Sequence, residues 1–427
     1  MSVAFEVQGL GVTELAEEFG TPLYLYDGEE ITTRFRGLRE ALHPALEVFY
    51  SLKANPNVSL CALLHRSGAR AEVSSLTELV TARRAGVAPA DIIFLGPGKS
   101  RAELAACLDE DVHAIVCENL DELPLIDELA RERGVTARVA LRVNPAFSVK
   151  GSGLTMGGKP RQFGIDEEQL LAAGPQLAAR YGAIRLMGVQ VYMGTRILAA
   201  GTVVENSRRI LELAERLAER LDFTLETVDI GGGLGIAYFD NEKDLDVAEL
   251  AEGLNPLIDA FTARRPGVRM IMELGRFLVA ASGTYVTRVR YTKTSMGENF
   301  AVTDGGTNHH MAAVGIGSYV KRNFPMAALE RLDEPATGAW NITGPLCTPN
   351  DVIGKKVPMP ELRPGELVGV HRSGAYGPTA SPVHFLSHGY PAEVLVLDGR
   401  ARLIRERDDV EAMLGRQRLY DDPTNQH

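Results

Sequence analysis

From about residue 46 onward, short apolar runs rich in β-branched residues alternate with segments whose apolar positions recur every three and four residues. The first pattern fits buried strands and the second fits amphipathic helices, so the chain predicts a parallel sheet with crossover helices. Eight strands can be placed: EVFYSLK (47–53), RAEVS (70–74), DIIFLG (91–96), HAIVCEN (113–119), RVALRVN (138–144), LMGVQVYM (186–193), TVDIGG (227–232) and MIMELG (270–275). Segments such as SLTELVTARRAG, SRAELAACLDE and SRRILELAERLAERLD between them carry the helical period. Eight strand-helix units predict an α/β fold of the (β/α)8 TIM-barrel type, in preference to an open doubly wound sheet.

Two stretches depart from that rhythm. NPAFSVKGSGLTMGGKPRQFGID (144–166) is rich in glycine and proline, and an interval of that length predicts a functional or mobile loop. After about residue 280 the chain turns to β-rich segments with Pro-Gly turns, such as SGTYVTRVRYTKTS, RPGELVGVHRSGAYG and PAEVLVLDGRARLI. These predict a separate antiparallel β domain of barrel or sandwich type. The expected division is a barrel over 27–278 and a β domain built from 1–26 with 279–427.

Composition narrows the setting. Of the residues, 45% are hydrophobic and 24% charged, as in ordinary globular chains. The net charge of −11 argues against non-specific nucleic-acid binding. Cys61, Cys107, Cys117 and Cys347 lack CxxC spacing, which argues against a zinc site or a disulfide framework and suits a reducing cytoplasm. The first twenty residues carry acids where a signal peptide would be apolar, and no apolar run approaches the roughly 18 residues of a membrane span.

Candidate chemistry collects where a barrel carries its active site, at the C-terminal strand ends. Lys53 ends the first strand in VFYSLKANPN, and a lysine there is costly unless something uses its amine. Its plain alternative is a pair with Glu72 or another nearby carboxylate. Arg142 lies in the fifth strand, Tyr192 in the sixth with Thr195 just after it, and Glu273 ends the eighth, followed by Gly275 and Arg276. Gly231, Gly232 and Gly233 could bring backbone amides close to a phosphate, although a tight turn needs glycines equally. The spacing is not that of a dinucleotide fingerprint, so a monophosphate fits better. A lysine, a phosphate turn and a carboxylate are together what a pyridoxal phosphate (PLP) enzyme requires.

YSLKAN, LRVNP, MGGKPRQFGI, VDIGGGLG, ELGR, GPLCTPND, SGAYG and PAEVLV, in this order, resemble the fold type III PLP decarboxylases, which include the diaminopimelate, ornithine and arginine enzymes. The resemblance covers nearly the whole chain. It implies that Lys53 carries the cofactor, that Glu273 pairs with the pyridine nitrogen, and that Gly233, Gly275, Arg276 and Tyr376 hold the phosphate. Glu72, Glu78 and Arg142 match polar residues around the cofactor. Cys347 matches the cysteine that protonates the substrate carbon in a neighbouring subunit, so a homodimer with shared active sites is implied.

Three departures from the family pattern bear on the substrate. Tyr192 stands where a stacking histidine is usual, which keeps an aromatic face without the imidazole's proton chemistry. Thr348 and Pro349 replace the acidic stretch after Cys347, and DGGTNHHMAAVGIG lacks the arginine that would hold a far carboxylate. These departures resemble the decarboxylases of butirosin and macrolactam biosynthesis, antibiotic-pathway enzymes whose acidic aminoacyl substrate is tethered to an acyl carrier protein. A thioester-bound side-chain carboxylate needs no arginine, and Ala312, Ala313 and Gly315 would leave room for a phosphopantetheine arm. His309, His310, Thr348 and Asp351 are the expected substrate contacts, with plain packing the alternative for the histidines. A metal is not expected, because adjacent histidines on a strand point in opposite directions. A carrier protein would need a basic patch, and Lys159 with Arg161 ranks ahead of Arg208 with Arg209 or Lys321 with Arg322. The rival readings are decarboxylation of a free amino acid such as diaminopimelate, and a PLP-binding protein without turnover.

Overall fold

The computed structural model describes residues 2–148, 154–314 and 322–420. The chain divides into two compact units, Glu30–Ala280 and the pair of segments Met1–Glu29 and Ala281–His427.

The first unit is a closed parallel barrel. Its strands are β1 (Leu46–Ser51), β2 (Arg70–Val73), β3 (Ile92–Phe94), β4 (Ala114–Cys117), β5 (Ala137–Asn144), β6 (Ile184–Gln190), β7 (Thr227–Gly232) and β8 (Arg269–Leu274). Each pairs in parallel with the next, and β8 returns to β1 with Glu273 opposite Phe49. Helices Val58–Arg66, Leu76–Arg84, Arg101–Asp109, Glu122–Arg133, Ala200–Leu221 and Val247–Arg264 supply the crossovers. Several of these helices start on side-chain caps: Asn57 accepts from the Ser59 amide, Ser75 from Glu78, and Ser100 with Glu103 forms a capping box. Phe49, Ile93, Leu95, Ala114, Val116, Ala140, Met187 and Ile271 pack together as a buried cluster within this unit. A core filled in this way confines polar chemistry to the strand ends and a few inward polar side chains.

The glycine-rich interval after β5 is more ordered than its composition predicts. Residues 149–153 lie outside the described residues, but Leu154–Thr155 pairs with Gly194–Thr195, and Ile165–Asp166 extends the sheet beside Val143–Asn144. The Asn144 amide holds the loop by donating to the Lys159 carbonyl (3.1 Å) and to Asp166 (2.8 Å), and its oxygen accepts from the Gly158 amide.

The second unit is a β domain whose long strand Gly283–Ser295 pairs antiparallel with Leu23–Asp27, Glu298–Thr303 and Leu367–His371. The expectation of a purely antiparallel sheet needs correction. Ala392–Leu397 runs parallel to Leu23–Asp27, and Gly338–Thr343 runs parallel to Glu298–Thr303. Both parallel pairs join strands far apart in sequence, which leaves chain enough for the crossover that parallel pairing requires. The core of this unit includes Leu23, Leu25, Val286, Leu367, Val394 and Val396, all essentially inaccessible.

Candidate active site

Lys53 does not end a strand. β1 stops at Ser51, and Lys53 sits in a single 3-10 turn, Leu52–Ala54. The Tyr50 hydroxyl donates to the Asn55 carbonyl (2.7 Å) and the Asn55 side chain accepts from the Asn57 amide, so the turn is pinned on its far side. Ala54 packs against Gly275, where a Cβ would come within 2.7 Å of the Ala54 methyl. The lysine therefore stands on a fixed turn next to the end of β8.

Its amine lies 3.4 Å from Glu72 Oε2 and 5.6 Å from the centre of the Tyr192 ring. Glu72 is 1% exposed. Burial alone would raise its pKa, but the Lys53 charge and hydrogen bonds from Ser51 and Ser74 outweigh burial and hold it below the usual value. Glu78 accepts from the Ser74 amide (2.8 Å), and burial, then the Glu72 charge, raises it to about 7.

Across the barrel Arg142 Nη1 lies 2.8 Å from Glu118 Oε2, with the two side chains 9% and 1% exposed. The contact is a meeting of charges with no N–H aligned on that oxygen, while Glu118 Oε1 accepts from the Gly96 amide (2.8 Å). The Arg142 guanidinium also covers the Phe163 ring at 4.8 Å, which ties the 144–166 loop to β5.

Glu273 is 2% exposed, and Gln190 Nε2 donates to its Oε1 at 3.1 Å. Burial, then the Glu72 charge, raises the Glu273 pKa, opposed by Lys53, a hydrogen bond with Asp229, and Arg142. Asp229 is pushed well above the carboxylate range, first by burial and then by the Glu273 charge, so it carries the proton of this pair. Among the described residues, Glu273 Oε2 and Asp229 Oδ2 are buried with no donor other than that proton. A carboxylate has about four acceptor sites, and Gln190 with Asp229 fills two. The rest suit a ligand that brings an N–H.

The glycine turn is dictated by crowding. At Gly232 a Cβ would lie 1.7 Å from the Glu273 carbonyl oxygen, and at Gly233, where φ is +83°, 1.9 Å from that of Gly194. Only glycine lets β7 pass this close to β8 and to the Gly194–Thr195 strand. Arg276 donates to the hydroxyl of Tyr238, in the loop after these glycines (2.9 Å). Arg196 covers Tyr238 at 5.3 Å and pairs with Glu242, fixing the loop after the glycines.

Lys53, Glu72, Arg142, Tyr192, Thr195, Gly232, Gly233, Glu273, Gly275 and Arg276 thus all belong to the barrel unit. Cys347, Thr348, Asp351, His309, His310 and Tyr376 belong to the β unit. Cys347 is exposed. Asp351 is 3% exposed and its carboxylate accepts from the amides of Thr307 (2.7 Å) and Leu346 (2.8 Å), so it clasps the Cys347 loop from within. Tyr376 adopts a left-handed backbone, φ +55°. His309 and His310 lie in a turn after Gly305–Gly306, not on a strand. His309 bonds to the Tyr285 hydroxyl and the Gly389 carbonyl, and His310 to Ser373 and the Ala313 amide. Both are almost fully buried, and burial lowers their pKa values to about 4 and about 3, so both are neutral. Within their own unit both rings are held in place by these hydrogen bonds. Ala313 is 2% exposed and opens no passage there; Gly315 and Lys321 lie outside the described residues. Sequence reasoning passed over Gln190, Glu118, Asp229 and Tyr238.

A parallel barrel whose strand ends combine a partly exposed lysine amine, a tight glycine turn and a buried carboxylate short of donors defines a PLP-binding enzyme site. Residues 28–280 match the family described as "Pyridoxal-dependent decarboxylase, pyridoxal binding domain". The L-glutamyl-[BtrI acyl-carrier protein] decarboxylase of Niallia circulans is 40% identical over 408 residues, covering 94% of this chain and 95% of that protein. The diaminopimelate decarboxylase of Aquifex aeolicus is 32% identical, covering 95% and 93%. Among solved structures, diaminopimelate decarboxylase from Helicobacter pylori complexed with L-lysine superimposes with a TM-score of 0.84 at 27% identity, covering 95% of this chain and 98% of that one. The chain belongs to the pyridoxal-dependent decarboxylase family, and it is a PLP-dependent carboxy-lyase.

Proposed function

We propose that the enzyme removes the α-carboxylate of an acidic aminoacyl group, aspartyl, 3-methylaspartyl or glutamyl, held as a thioester on an acyl carrier protein. The observation that carries this reading is the 40% identity to a glutamyl-carrier decarboxylase along almost the full length of both chains, against 28–33% for the diaminopimelate decarboxylases. The absence of an arginine from residues 304–314 supports it, since a tethered side chain offers no free carboxylate to hold.

PLP, when bound, supplies the electron sink that accepts the charge left on Cα as CO2 departs. Lys53 binds the cofactor, and Glu72 keeps the lysine amine oriented and charged until then. Glu273 receives the ring N–H. The glycine turn and Arg276 take the phosphate, with Tyr238 aligning the guanidinium. Tyr192 supplies an apolar face, and Cys347 of a second copy returns the proton to Cα, so the working unit is a homodimer. An exposed thiol that must stay reduced suits a cytoplasmic setting.

Lys159 and Arg161 remain the favoured carrier contact. Both are exposed on a loop pinned by Asn144, and Arg208 and Arg209 pair with Glu205 and Glu212. Free and carrier-linked Asp, 3-methyl-Asp and Glu, incubated separately with the holoenzyme, test the reading. Loss of one CO2 from carrier-linked substrate alone supports it, and turnover confined to free amino acids would sink it. Reversing the charges of Lys159 and Arg161 should raise KM for the carrier-linked substrate and leave PLP affinity unchanged.

A further inference from the structure

Gln190 ends β6, and its side chain is fully buried. The parallel register sets it beside Arg142 on β5 and Asp229 on β7. It reaches one strand further to place Nε2 3.1 Å from Glu273 Oε1. The orientation of this amide is fixed by chemistry, because reversing it would bring its oxygen against the carboxylate. Gln190 Oε1 has no donor beside it among the described residues, so the side chain is spent on this single bond.

The bond matters because of what else surrounds Glu273. Glu72 and Asp229 are acids, and burial and the Glu72 charge both favour a protonated Glu273. Lys53, the hydrogen bond from protonated Asp229, and Arg142 oppose them. A proton held on Glu273 instead of on the pyridine nitrogen would leave the ring without the cation that makes it an electron sink. A donor on Oε1 stabilises the ionised form without using the lone pairs that remain.

We propose that Gln190 is a positioning residue that keeps Glu273 ionised and oriented to receive the ring N–H of bound PLP. The proposal rests on the reading of Glu273 as the partner of that nitrogen.

Equilibrium dialysis of PLP against the full-length apoenzyme tests it, using Gln190→Leu, Gln190→Met and Gln190→His, each alone and combined with Glu273→Gln. Loss of a hydrogen bond to a buried charge weakens binding roughly 10- to 100-fold, and that is the effect expected for Leu and Met. His retains a donor and stays within about threefold of the parent. In the Glu273→Gln background the loss at Gln190 should shrink to less than about threefold, because the charge it serves is gone. A purely structural role would leave the loss undiminished there and unrescued by His. Unchanged PLP affinity in both apolar variants, or an equal loss in both backgrounds, would overturn the proposal. Full affinity in Glu273→Gln itself would instead remove the reading of Glu273 beneath it.

Discussion

Arg142→Met probes the electrostatic frame of the site. Arg142 and Glu118 are 2.8 Å apart and nearly buried, so removing the cation strands a carboxylate that keeps the Gly96 amide as its donor. Breaking such a pair from one side costs about 3–5 kcal/mol. Loss of the guanidinium over Phe163 at 4.8 Å adds about 0.5–2 kcal/mol, partly offset by the apolar methionine. The expected loss is therefore about 4 kcal/mol, or a fall in melting temperature of roughly 10 °C for a unit of this size. The double variant Arg142→Met/Glu118→Leu removes the stranded charge and leaves chiefly the Gly96 amide unpaired, which costs about 1–3 kcal/mol. Denaturant unfolding of the parent, both single variants and the double variant closes the cycle, with an expected coupling of at least about 2 kcal/mol. A single-variant loss under about 1 kcal/mol, or strict additivity, would refute the assignment of a coupled buried pair.

Further outcomes follow from the same geometry. Gly232→Ala places a methyl 1.7 Å from the Glu273 carbonyl, so β7 and β8 must separate; PLP retention on gel filtration should be lost, and wild-type retention would contradict the crowding. His310 is neutral with a pKa near 3 in the folded chain, so its contribution to stability is complete above about pH 6.5 and declines as the pH falls toward 3. The decline is about 1.4 kcal/mol per pH unit, and His310→Asn should flatten the melting temperature between pH 6.5 and 4.5 relative to wild type. Asp351→Ala frees the amides of Thr307 and Leu346, so iodoacetamide should label Cys347 faster; an unchanged rate would show that Asp351 does not order that loop.

The barrel was legible because strand and helix periods differ, and all eight strands lie within a few residues of their expected bounds. Lys53, Glu273 and the glycines were legible because each violates the pattern around it. Gln190 in LMGVQVYM, Asp229 in TVDIGG and Glu118 after HAIVC break their apolar runs in the same way, and the cost of burying a polar group would have singled them out. What no local pattern carries is their pairing, because Gln190 meets Glu273 across β7 and Arg142 meets Glu118 across 24 positions of sequence. The setting of the histidines was hidden for a related reason. Gly305–Gly306 ends the strand before His309, and three of their hydrogen-bond partners, Tyr285, Ser373 and Gly389, lie 24 to 80 residues away.

The charges within the barrel bear on the substrate as well as the cofactor. Lys53 pairs with Glu72 and Arg142 with Glu118, while protons on Asp229 and, near neutral pH, on Glu78 reduce the excess of acid. A site so rich in acid accommodates the cationic ring of PLP readily. A free aspartate or glutamate would bring one more negative charge into it than a thioester-bound one. A thioester removes that charge before the substrate arrives. The acids that hold the cofactor would therefore also select the tethered substrate over the free one, without any residue devoted to the choice.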